Sequence, residues 1–118
     1  MKHLIWLGDS LENVRAFPSA VRDRVGFALY VAQSGGVHTS VKPLHGLGGG
    51  VMEIAARDES GAYRAVYTVS IGAAIYVLHA FQKKSKRGIA TPRADMELVR
   101  NRLRQLQREV RDGANEVD

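Results

Sequence analysis

Three β-prone segments, near 51–57, 63–70 and 74–82, follow one another with only short turns between them. Asp58-Glu59-Ser60-Gly61 and Ser70-Ile71-Gly72 supply the turn chemistry. Links this short force antiparallel hairpins, because a parallel pair needs a long crossover. The middle of the chain is thus committed to a three-stranded meander, and the rest must pack on it.

The flanking segments read as one further strand and three helices. Residues 3–7 form a short strand ended by Gly8. Ser10 is placed to cap a short helix through Phe17, with Leu11, Val14 and Phe17 on one face. Pro18 suits the first turn of a second helix, which Gly35-Gly36 closes. Val21, Val25, Ala28, Leu29 and Ala32 give that helix a core-facing stripe. Residues 37–50 read as a glycine-rich loop. Gly46-Leu47-Gly48-Gly49-Gly50 runs into a strand and lacks the terminal Lys of a phosphate loop, so a nucleotide cradle is rejected. Thr91-Pro92 resembles a cap and a first-turn proline, opening a helix with Met96, Val99, Leu103, Leu106 and Val110 on one stripe. Asp95 and Glu97 lie early in it and the arginines later, which complements the helix dipole. The expected class is α+β, in the order β-α-α-β-β-β-α. An antiparallel meander sheet packs against a helical hairpin and a C-terminal helix. One domain is expected over 1–112, with 113–118 a frayed tail.

Charge separates the last third from the rest. Between Gln82 and Arg108 nine Lys and Arg face only Asp95 and Glu97, a net of +7, while the whole chain carries +5. An acidic partner is expected to meet that third. The run Tyr76-Val77-Leu78-His79-Ala80-Phe81-Gln82-Lys83-Lys84-Ser85-Lys86-Arg87 mounts four cations directly after a strand, as a phosphate-backbone grip requires. Without cysteine, disulfides and thiolate sites are excluded. The apolar runs are too short to span a bilayer, and Gly8-Asp9 interrupts the N-terminus too soon for a good signal peptide, so a cytoplasmic protein is the default.

Few catalytic constellations survive inspection. His3, His38, His45 and His79 lack metal-site spacing, and no nucleophile elbow is present. What remains is cationic. In an antiparallel meander the ends of the first and third strands and the start of the second share one edge, so Arg57, Arg64 and Lys83 converge there. His79 shares a strand face with Phe81 and Lys83. Arg64 has a plainer reading as the ion-pair partner of Glu53 or Asp58, and His79 as a packing residue.

Four segments carry a family likeness. Lys42-Pro43-Leu44-x-Gly46-Leu47, Met52-Glu53-Ile54, Tyr63-Arg64-Ala65-Val66-Tyr67 and Leu78-His79-Ala80-Phe81-Gln82-Lys83-Lys84-Ser85-Lys86 resemble the HigB-type, phage-related branch of the RelE/ParE toxin superfamily. The likeness runs from about residue 3 to 108 and implies a RelE-like fold. It also implies cleavage of messenger RNA on the ribosome, without a cofactor, and inhibition by a cognate helix-turn-helix antitoxin through which alone operator DNA is met. By that resemblance Arg64 holds the scissile phosphate, with Lys83 or Lys84 as a second basic position and Arg57 near a third. The segment Met52-Glu53-Ile54-Ala55-Ala56 lacks the paired lysines of some relatives, and their C-terminal tyrosine has no match. Cleavage by 2′-hydroxyl attack needs a proton-transfer group of near-neutral pKa. His79 is the first candidate and Glu53 the second, with Lys86 and Arg87 as ribosomal RNA anchors. The alternatives are a ParE-like protein that poisons DNA gyrase by binding alone, and a degenerate toxin that only binds its antitoxin.

Overall fold

A computed structural model gives the fold of residues 1–84 and 90–116, with side chains described as far as Gly113. Strand β1 (Leu4–Trp6) leads to helices α1 (Ser10–Arg15) and α2 (Ser19–Gln33). Strands β2 (Val41–Pro43), β3 (Val51–Asp58), β4 (Gly61–Thr68) and β5 (Ile75–Lys83) follow, and α3 (Arg93–Glu116) closes the chain. The strands form one sheet in the order β1-β5-β4-β3-β2. All neighbours are antiparallel except β1, which pairs with β5 in parallel.

The meander β3-β4-β5 stands where the sequence puts it. Two features depart from expectation. The glycine-rich loop contains β2, whose Val41, Lys42 and Pro43 pair with Ile54, Glu53 and Met52. As an edge strand it tolerates Pro43, which has no N–H to offer a further neighbour. The N-terminal strand makes the sheet mixed: between β1 and its parallel partner β5 the chain runs through α1, α2 and the other three strands, ample length for a parallel pair.

Each sheet face is covered by a different helical layer. On one, Val21, Val25, Ala28, Leu29 and Ala32 of α2 bury against Ile54, Ala65, Tyr67 and Val77. On the other, Val99, Leu103 and Leu106 of α3 meet Val51, Val66, Ile71 and Leu78. Full burial of each Leu or Val contributes roughly 1.5–3 kcal/mol. Gly35 and Gly36 end α2, donating to Ala32 O and Val31 O while Gly35 holds φ 91°. Ser10 is not the cap of α1: Asp9 occupies that position, and the fully buried Ser10 hydroxyl donates to Val77 O at 3.3 Å. Val77 O also accepts from Leu7 N at 3.0 Å, so the buried hydroxyl finds its own partner on a carbonyl already in the sheet. The Thr91 hydroxyl likewise donates to Glu53 Oε2 at 2.7 Å. Helix α3 continues through Glu116, past the point where the sequence suggested fraying. Among the described residues no helix is long and apolar enough to cross a membrane.

Candidate nucleic-acid interface

Only half of the α3-facing side of the sheet lies under α3. Strand β2 pairs with residues 52–54 of β3 alone, and β1 with 75–77 of β5 alone. Beyond those points the sheet is three strands wide, and on its α3-side face Arg57 is exposed while Arg64, Phe81 and Lys83 are largely buried. The register draws three cross-strand rows there: Glu53–Val66–His79, Ala55–Arg64–Phe81 and Arg57–Ala62–Lys83. Residues paired across strands share a face, so Glu53, Arg57, Arg64, His79 and Lys83 project to one side. Arg57 and Lys83 flank Ala62 at two strand spacings, about 10 Å between backbones.

Small side chains keep the patch shallow. Arg24, Ala55, Arg57, Ala62 and Arg64 border a hollow of about 280 Å³. Arg24 reaches round from α2 to donate to Arg57 O at 2.6 Å, which caps the unpaired edge of β3. Arg57 is exposed, and the Arg64 side chain is 14% exposed. Arg64 Nε stands 3.7 Å from Glu53 Oε1 and its Nη1 donates to Tyr63 O at 3.1 Å. Thr91 holds the other Glu53 oxygen. A guanidinium steered by a carboxylate and a carbonyl is a preorganised donor set. Lys42, opposite Glu53 on β2, adds a cation to the same row.

His79 owes its position to a bulge. The pairing steps from Val66↔His79 to Tyr67↔Val77, so Leu78 is an extra residue in β5. Both Leu78 and His79 therefore turn toward α3, as a bulge re-aims the side chains around it. His79 Nε2 lies 2.9 Å from Asp95 Oδ1, and its ring stacks on Phe81 at 5.0 Å. The side chain is 7% exposed, and Nδ1 is buried with no partner among the described residues. The tautomer that fits carries its proton on Nε2, given to Asp95, and leaves Nδ1 as a bare lone pair. Neither ring nitrogen is open to a second partner in this arrangement.

Lys84 is exposed just past β5, on a cleft of about 580 Å³ that it lines with Asn13, Phe17, His79, Phe81 and Asp95. Lys83, by contrast, is buried at 8% exposure. Lys86 and Arg87 lie outside the described residues. The outward carbonyls of β5 in this region are satisfied by side chains: Arg102 Nη1 donates to Leu78 O and Asn13 Nδ2 to Ala80 O, each at 2.9 Å. The residues that sequence reasoning missed are Asp95, Thr91, Arg24 and Lys42. Asp95 was legible only as a helix-dipole complement, and Lys42 only as a motif letter. For Thr91 and Arg24 the decisive contacts are non-local, with no sequence signal.

A sheet with a helical hairpin on one face, a long C-terminal helix on the other and a cationic end to its meander defines a RelE-like architecture. Solved structures bear this out. The E. coli toxin RelE as a double arginine-to-alanine mutant in the free state is 18% identical, with a TM-score of 0.58 over 88% of this chain and 96% of that one. The isolated E. coli RelE toxin is 19% identical, with a TM-score of 0.55 over 86% and 98%. At such identities the likeness establishes a shared fold. No curated protein matches the sequence. The family model for phage-derived Gp49-like proteins (DUF891) matches residues 12–104, and the chain belongs to that family. The phage-related family and the RelE-like fold, expected from Tyr63-Arg64-Ala65-Val66-Tyr67 and its companion segments, are thus both found.

Proposed function

We propose that this protein is the toxin of a toxin–antitoxin pair, a cytoplasmic endoribonuclease that cuts messenger RNA on the ribosome and is held in check by a helix-turn-helix antitoxin. The observation that carries the reading is the register, which sets Arg57, Arg64 and Lys83 in adjacent rows on one sheet face. A single carboxylate, Glu53, stands beside Arg64.

In this reading Arg64 and Lys83 hold the scissile phosphate, and Arg57 holds a neighbouring one. Glu53 takes the proton from the ribose 2′-hydroxyl. The 2′-oxygen then bonds to phosphorus while the bond from phosphorus to the 5′-oxygen breaks, and Lys84 supplies the proton that the departing oxygen needs. Charge gathers on the phosphorane oxygens, where fixed cations stabilise it without reorganising. Glu53 replaces His79 as first candidate for the base, because His79 gives one nitrogen to Asp95 and buries the other. His79 then serves to position β5 and α3.

Primer extension on messenger RNA after brief expression tests the assignment. Discrete cuts within codons that vanish in Arg64→Gln support it. DNA-damage signalling with intact transcripts would instead establish the gyrase-poisoning reading.

A further inference from the structure

The arginines of α3 divide into two sets with different fates. Arg102 is engaged, donating to Leu78 O and to Asp9 Oδ1 at 2.8 Å. Arg100, Arg104, Arg108 and Arg111 have no ion pair or side-chain hydrogen bond among the described residues. On a helix of 3.6 residues per turn, Arg100, Arg104 and Arg111 fall roughly 100–140° round the axis from Val99, and Arg108 about 180°, opposite it. Val99 faces the sheet and Arg102 faces β5 and α1. The arginine arc therefore turns away from Arg102, out to the flank and back of the helix.

The surface is built for a polyanion rather than for a protein. A shallow depression on it is lined by Asn101, Arg104, Gln105, Gln107, Arg108 and Arg111, with no apolar side chain. Protein interfaces need an apolar core within the patch, and this one has none. Donor-rich Arg, Asn and Gln are what phosphate and ribose oxygens demand. From Arg100 to Arg111 the helix advances about 16 Å, so its four guanidiniums span several phosphates of one strand of a duplex.

We propose that the arginine flank of α3 is a second RNA-docking surface, which grips the phosphate backbone of a base-paired RNA stem while the groove takes the strand to be cut. The inference rests on the reading of an RNA-directed toxin given above. Duplex RNA is held mainly through phosphate and 2′-hydroxyl contacts, so the surface needs no base readout.

Binding of Arg104→Gln/Arg108→Gln to purified 70S ribosomes, measured across a salt series, tests it. The slope of log affinity against log salt should become shallower by about two, near 0.9 per lost phosphate contact. The unfolding midpoint and binding of a short single-stranded RNA should stay at wild-type values. The Arg104→Lys/Arg108→Lys variant, which keeps the charge, should recover the slope. Wild-type affinity and slope in the Gln variant would overturn the proposal. So would loss of the antitoxin with ribosome binding intact, since that marks a protein-docking face. The groove reading stands or falls separately: Arg64→Gln that still cuts RNA at the wild-type rate removes it, whatever the salt slopes show.

Discussion

His79 Nε2 lies 2.9 Å from Asp95 Oδ1, and this contact fastens the bulge of β5 to the first turn of α3. A strand irregularity and a helix start, 16 residues apart, thus fix each other. The bulge aims His79 at α3, and the carboxylate selects the ring tautomer. Removing Asp95 leaves a buried imidazole with neither nitrogen paired. Asp95→Ala should cost about 1–2 kcal/mol, the lower part of the range for a hydrogen bond to a charged group, because Asp95 is one-quarter exposed. Chemical denaturation reads the loss. Amide exchange should quicken across residues 96–100 and stay slow in β4. Uniform acceleration would show that the pair stabilises the whole domain and not the α3 start.

Glu53 and Arg64 should separate in kinetics. In the proposed reaction Arg64 stabilises charge at the phosphorane, and Arg64→Gln should lower cleavage roughly 10²–10³-fold, the cost of one lost transition-state donor. Glu53→Gln removes the proposed base while keeping the contact from Thr91, and should cost about 10²–10⁴-fold with little change in RNA affinity. His79→Gln should act mainly through stability. If single-turnover rates fall for His79→Gln and hold for Glu53→Gln, the base is the histidine.

Along α3, position decides the cost of truncation. Leu103 is 4% exposed against Val51, Val66 and Leu78, so Leu103→Ala should destabilise by about 2–5 kcal/mol. Val110 continues the same stripe but is 40% exposed, and Val110→Ala should stay within about 0.5 kcal/mol. Equal shifts in the two unfolding midpoints would contradict this division of the helix.

Gly8 accommodates the Arg102 side chain. It holds φ 53°, and a Cβ there would stand 2.6 Å from Arg102 Cζ. Gly8→Ala should cost about 1–2 kcal/mol for the left-handed backbone alone, before any displacement of Arg102. The added loss should be smaller in an Arg102→Ala background, where the clash is gone. Arg102 also sets a pH dependence. Its hydrogen bond to Asp9 holds that carboxyl below the ordinary carboxylate value. The folded state therefore binds this proton less tightly than the unfolded one. The contribution is complete above about pH 4 and fades as pH falls below it. Asp9 is 52% exposed, so solvent screens the effect, and Asp9→Asn should flatten the acid limb only slightly.

Local and patterned features of the fold were legible in the sequence. The meander followed from two short turns, and the stop of α2 from Gly35-Gly36. The convergence of Arg57, Arg64 and Lys83 on one face followed from hairpin connectivity and two-residue alternation. What escaped depends on distant partners. β2 exists because Val41–Pro43 finds Met52–Ile54, and a three-residue segment with a proline gives no signal of its own. Ser10 looked like a cap, yet its partner is Val77, 67 residues away. The bulge at Leu78 leaves no mark in alternation. Only its consequence, His79 facing Asp95, discloses it.

The parallel pairing of β1 with β5 also orders events at birth. Leu4 cannot meet Ile75 until the ribosome has made most of the chain, which takes about 4–15 s at 5–20 residues per second. Contacts so distant in sequence close slowly even then. A nascent chain halted before that point holds Arg57 and Arg64 but lacks the strand that brings Lys83 alongside them. The row that joins Arg57 to Lys83 is thus assembled only once β5 is made, with α3 alone still to be added, so anything already present in the cell has a head start of seconds over it.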